Sequence, residues 1–134
     1  MADLAGTRMF FDPDSGAFRA GRVTGAQWDN GNTGTVSIAM GNNPTASGSV
    51  SIALGSGVAS NTNSVVIGNG NTSSGQASVA IGDSTNVTGT NSFGFGLGVP
   101  GSGNNPVVSG NNSFGIFMGD QGSVDITSSK LMAV

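Results

Sequence analysis

Any chemistry in this chain has to be done with Asp, Ser, Thr and Lys, because its 134 residues include no His, Cys, Tyr or Glu. General acid–base and nucleophilic catalysis draw mainly on those missing types. The best remaining constellation is Asp12 and Asp14, two carboxylates flanking Pro13 that could attract a cation. They lack the Gly-Gly-x-Gly-x-Asp pattern of a calcium-binding roll, so they predict a turn and no metal site. Asp83 stands alone among neutral neighbours and reads as a solvent-exposed turn residue. Gly94-Phe95-Gly96-Leu97-Gly98 has the glycines of a phosphate loop but lies inside a strand repeat with no helical pattern after it. Asn-x-Ser/Thr sequons at Asn71, Asn86 and Asn111 are what chance provides in a chain so rich in these residues. The expectation is a non-enzymatic protein without a cofactor.

Charge is scarce and confined. The cations are Arg8, Arg19, Arg22 and Lys130, and between Asn30 and Gly119 the only ionisable side chain is Asp83. With a net charge of −3 and no basic stripe, the electrostatic footprint needed to grip nucleic acid is missing. No run of about 18 apolar residues occurs, and Asp3 stands where a signal peptide would carry Lys or Arg, so neither membrane insertion nor signal-directed export is expected. The expected origin is a structural part made in the cytosol, or a piece of something larger. With 24 glycines and 8% charged residues, the composition fits an ordered repeat and not a charged, disordered chain.

The element that must position everything is a repeat. Ser-Ile-Ala-Met-Gly at 37–41 recurs as Ser-Ile-Ala-Leu-Gly at 51–55, Ser-Val-Val-Ile-Gly at 64–68, Ser-Val-Ala-Ile-Gly at 78–82 and Ser-Phe-Gly-Phe-Gly at 92–96. The closing glycines are 14, 13, 14 and 14 residues apart. That period is too short for a helical hairpin and fits one coil of a β-solenoid, two short strands and two turns. Strand alternation puts Ser and Ala on a small face suited to a narrow interior. The large face carries Ile38 and Met40, Ile52 and Leu54, Val65 and Ile67, Val79 and Ile81, Phe93 and Phe95, and then Ile116 and Met118.

The returning halves, 42–48, 69–75 and 83–89, are too small and polar to cover those aliphatics. Each fully buried Val, Ile or Leu contributes roughly 1.5–3 kcal/mol, so two left in water per repeat would forfeit the main term opposing chain entropy. An oligomer is therefore expected, with threefold closure natural for parallel rods that converge two side chains per repeat on one axis. Corner positions fall to Gly41, Gly48, Gly55, Gly68, Gly75, Gly82, Gly89 and Gly96, which supply positive φ or close backbone approach. Asn63, Asn69, Asn71 and Asn91 suit neighbouring turn positions.

The stretch 68–82, with its echoes at 41–55 and 82–96, resembles the head repeat of YadA-like trimeric autotransporter adhesins. The resemblance covers roughly residues 35–119 and implies a left-handed parallel β-roll that assembles as a homotrimer. Three departures stand out. The 55–68 step is one residue short, Val66 replaces a small residue, and the pattern breaks over 97–112 before Ser-Phe-Gly-Ile-Phe-Met-Gly resumes at 113–119. The 134 residues contain no heptad pattern or barrel-strand series, so neither a helical stalk nor a membrane anchor is expected within them.

The predicted organisation is a capping or docking segment over 1–34, the β-roll over 35–119 with an irregular insertion at 97–112, and a C-terminal segment over 120–134. Residues 7–23 read as a β-hairpin turning at Asp12-Pro13-Asp14-Ser15-Gly16. Its Phe10, Phe11 and Phe18, with Trp28 beyond it, are candidates to cap the roll or to dock on another protein. Asp125 occupies the place of an interior Ala in Ser123-Val124-Asp125-Ile126-Thr127, so the roll is expected to stop or change geometry there. Three functions remain open on these grounds. The preferred one is a bacteriophage fibre or capsid decoration on the virion surface, held by its N-terminal segment and touching a host glycan or protein. The others are the head of a bacterial adhesin on the cell surface and an ice-binding solenoid, the last disfavoured because Thr45, Val58, Thr72 and Thr85 are not expected to share one register.

Overall fold

A computed structural model describes residues 5–97, 105–118, 125–127 and 132–133. The protein is all-β, with a mostly parallel sheet that does not close into a barrel. Strands β1 (Gly6–Asp12) and β2 (Ala17–Val23) form an antiparallel hairpin. In its turn the Asp12 carboxylate accepts the Asp14 amide at 3.1 Å and the Ser15 hydroxyl at 2.7 Å, and Gly16 takes φ +67°. Two single-turn 3-10 helices at 26–28 and 30–32 lead out of the hairpin.

From β2 onward the described pairings are parallel. The strands are β3 (Ile38–Asn42), β4 (Thr45–Ala46), β5 (Ile52–Ala59), β6 (Val65–Ser73) and β7 (Val79–Asp83). They continue as β8 (Asn86–Val87), β9 (Phe93–Leu97), β10 (Val107–Val108), β11 (Phe114–Met118), β12 (Asp125–Ile126) and β13 (Met132–Ala133). The main run follows β1-β2-β3-β5-β6-β7-β9-β11-β13. A second run pairs β4 with the far half of β5, then the far half of β6, β8, β10 and β12.

Both runs contribute to one thin core. Ala39, Ala53, Val66 and Ala80 come from the main run, and Ala46, Ala59, Val87, Val108 and Ile126 from the second. The serine that opens each repeat is buried with them, and at Ser37, Ser51, Ser64 and Ser78 its hydroxyl satisfies a corner carbonyl three residues back. Ser51 donates to Gly48 O, Ser64 to Asn61 O and Ser78 to Gly75 O, each at 2.6 Å. A buried polar group so paired costs little, which is why Ser serves at this position.

The corner glycines divide into two kinds, and Gly96 belongs to neither: it has no positive φ, and an added Cβ would meet the Thr85 hydroxyl at 2.0 Å. Gly41, Gly55, Gly68 and Gly82 have φ between +114° and +133°, and an added Cβ would fall about 2 Å from the next corner's carbonyl oxygen. Gly48, Gly75 and Gly89 have no positive φ and are required by the same close backbone approach alone. The left-handed residues of the second corner instead precede the serines, as Val36, Val50, Asn63, Ala77, Asn91 and Asn112.

Size matching inside the core explains the departures from the repeat. A Cβ on Gly57 would lie 2.2 Å from a Val66 methyl, so this glycine makes room for a valine where the neighbouring strands carry Ala53 and Ala80. The register between β5 and β6 shifts at the same place, between Ser56 and Val58. Farther along, Gly94 sits against Val87 and Val108, and Gly115 against Ile126 and the buried ring of Phe117. As one wall grows, the other shrinks to Gly.

Two expectations are corrected. The pattern resumes after 97–112 with Phe114 in register with Phe93, and Phe117 opposite Gly96. The repeat is therefore aligned by Ser113 and not by Gly119, which lies outside the described residues. Inside the insertion, β10 returns to the second run and pairs with β8 and β12. At the far end the ladder continues through Asp125: β12 belongs to the second run, where Ile126 takes the buried place in register with Val108. The parallel pairing then reaches β13, where Met132 lies opposite Phe114.

Candidate interaction face

The outward side of the main run carries two rows of apolar residues in register. One row runs Phe11, Phe18, Ile38, Ile52, Val65, Val79, Phe93, Phe114. The other runs Met9, Ala20, Met40, Leu54, Ile67, Ile81, Phe95, Ile116. Neither contains an ionisable group. Ile38, Met40 and Ile67 are exposed, and Ile52, Leu54, Val65, Val79, Ile81, Phe93, Phe95 and Ile116 are half-buried by their neighbours within the rows. At the hairpin end Met9 is 74% exposed and Phe11 59%. The Phe93 and Phe114 rings stack at 5.1 Å with planes 15° apart.

Phe114 and Met9 are face residues that reading by repeats misses. The signals for them are Ser113, which heads its repeat as Ser92 does, and Gly21, which pairs with Gly41 as a closing glycine. Met118 is not in either row: it pairs with Leu97 beyond them and is 62% exposed.

The four hairpin-end aromatics separate. Phe11 and Phe18 lie on the outward face. Phe10 and Trp28 turn inward and meet edge-to-face at 5.9 Å, beneath the Arg8 guanidinium. Trp28 is buried, and its indole N–H donates to Pro44 O at 3.1 Å, so it caps the core and presents no docking surface.

Arg19 completes the cap in the register position that Ala fills in later repeats. It is fully buried and donates to Phe18 O at 2.9 Å, Ser37 O at 3.0 Å, Ser37 Oγ at 2.8 Å and Ala46 O at 3.2 Å. These bonds tie the hairpin to both runs. Burial pushes its pKa down to about 10, against the opposing pull of Asp12.

The candidates for chemistry stay apart. Asp12, Asp14, Ser15, Asn30, Thr33 and Thr35 line an open cleft of about 320 Å³, and the Ser15 hydroxyl holds the Asp12 carboxyl below its ordinary value. Among the described residues no three His, Cys, Asp or Glu come together in a way that could hold a metal ion. Asp83 joins a polar corner ladder, accepting from Asn69 at 3.4 Å and Ser84 at 3.0 Å, while Ser56 bonds to Asn69. Gly94 and Gly96 sit within β9. Asn71 is buried, bonded to Ile67 O, Gly82 O and the Thr85 amide, and its sequon is closed off in the fold.

The second run's outward row is Thr45, Val58, Thr72, Asn86. Thr45, Val58 and Thr72 share a register, and Thr85 falls outside it, so the four do not form one row, as expected. The row is also mixed in type. No described helix is long and apolar enough to cross a membrane. Compared with known proteins, the chain matches no family model, no curated protein and no solved structure.

Proposed function

We propose that this chain is a non-enzymatic structural and adhesive protein, a parallel β-roll of about 14-residue coils that associates as a homotrimer around its apolar face. The observation that carries the reading is the pair of outward rows, uncharged over eight strands, on a molecule whose inner side is already filled by its own Ala, Ser and Val. The apolar side chains left partly open along both rows form one contiguous uncharged strip, the kind of surface that marks an association site. An occupant must also present apolar groups at the strand pitch of about 4.8 Å along the whole strip. A parallel copy of the same chain has that pitch throughout.

On this reading the assembled rod projects from a virion as a bacteriophage fibre or capsid decoration, offering its polar outer surfaces to a host. The head of a bacterial trimeric adhesin is the second reading, supported by the repeat at 68–82. Genes flanking the coding sequence separate the two: capsid and tail genes favour the first, an anchor barrel the second. An ice-binding role lacks support, since the second run's row interrupts Thr with Val58 and Asn86. Assembly is tested by Ile81→Asp, which places a charge among buried side chains at the shared axis. No folded trimer is expected in analytical ultracentrifugation, and a fully folded, soluble Ile81→Asp monomer would contradict the packing.

A further inference from the structure

The middle of the apolar face is self-similar. Ile38 with Met40, Ile52 with Leu54, Val65 with Ile67 and Val79 with Ile81 are pairs of like volume on successive strands. Copies displaced by one strand would still pack like against like over this stretch. A repetitive surface of this kind specifies contact without specifying register.

The two ends are not self-similar. Ala20 interrupts its row between Met9 and Met40, leaving one gap next to two long, flexible side chains. At the other end Phe93, Phe95 and Phe114 replace the aliphatics. We propose that the Ala20 gap and this aromatic block fix the axial register in which copies of the chain associate, an inference that rests on the threefold assembly proposed above. Aligned copies bring their Ala20 gaps to one level, where the neighbouring methionines can lean in, and bring their rings together at one level. A one-strand shift sets Ala20 against Met9 or Met40 and Phe95 against Ile81. That opens voids at one end and overfills the other, and neither packs well. The repeats supply adhesion between copies, and the ends decide alignment.

Isoleucine methyl signals read the register directly. The chain has six isoleucines, of which Ile38, Ile52, Ile67, Ile81 and Ile116 lie on the face and Ile126 in the core. A trimer aligned on a threefold axis gives one δ1-methyl signal per isoleucine, six in all. Shifted copies are inequivalent and multiply the face signals. The experiment compares the full chain with the variant Ala20→Met/Phe93→Leu/Phe95→Leu/Phe114→Leu, each first confirmed as a trimer by sedimentation. The expected result is six signals from the wild type and at least a doubling of the Ile67 signal in the variant. The milder Ala20→Met/Phe95→Leu variant, expected to show the same splitting at lower intensity, stands in if the fourfold variant does not fold. A variant trimer that keeps six signals overturns the inference, as does a wild-type trimer with more than six. A wild type that sediments as a monomer overturns the assembly reading beneath it, whatever the variants do.

Discussion

On β7, Ala80 faces inward and is fully buried, while Val79 and Ile81 on either side of it face outward and stay half-exposed. The same contrast holds along the main run, and it separates two kinds of packing. Inside, tolerances are set by backbone: corner carbonyls lie where a Cβ would go, and a valine at 66 is accommodated only because residue 57 is Gly. Outside, similar aliphatics follow one another with no fixed partner in the chain. The inner face is closed by steric exclusion within the chain, while the outer face leaves apolar surface that the chain itself does not cover.

The sharpest way to break the inner side is Gly82→Val. Its φ is +116°, and an added Cβ would stand 1.7 Å from Gly96 O. The expected loss exceeds about 4 kcal/mol, seen as the absence of a cooperative thermal transition by circular dichroism. A smaller effect tests the size exchange: Gly57→Ala is expected to cost about 2 kcal/mol, and Val66→Ala in the same chain to recover about half of it. Denaturant midpoints of the two single variants and the double variant would show this, and strictly additive losses would sink the exchange. The smallest effect has the opposite sign. Val50 is a β-branched residue at φ +54° and is 51% exposed, in a position that Asn fills at 63, 91 and 112. Val50→Asn is therefore expected to raise stability by about 1 kcal/mol, and an unchanged or lower denaturant midpoint would count against strain at this corner.

Much of this architecture is legible in the residues themselves. The Ser-x-Ala-x-Gly period gives the strand spacing, the inward Ser and Ala, and the outward Ile, Val and Phe, because the alternation repeats often enough to fix both phase and length. The hairpin is harder to place. In β2 an Arg stands where later repeats have Ala, and only the fold reveals that Arg19 lies inward, bonded to Ser37 and Ala46 as a plug. Without that, Met9, Phe11 and Phe18 read as a separate patch and not as the first strands of one face. Asp125 misleads for a related reason: a single residue cannot tell the main run from the second, and pairing with Val107 assigns it to the second. The exchange between Gly57 and Val66 is hidden because the two residues are nine apart in sequence and meet only across the core.

The central claim is that the outward rows are covered by further copies of the same chain. Sedimentation equilibrium of the wild-type protein measures this most directly. A single species at three times the 13.1 kDa chain mass is the predicted result, and a stable, fully folded 13.1 kDa monomer at all concentrations would contradict it.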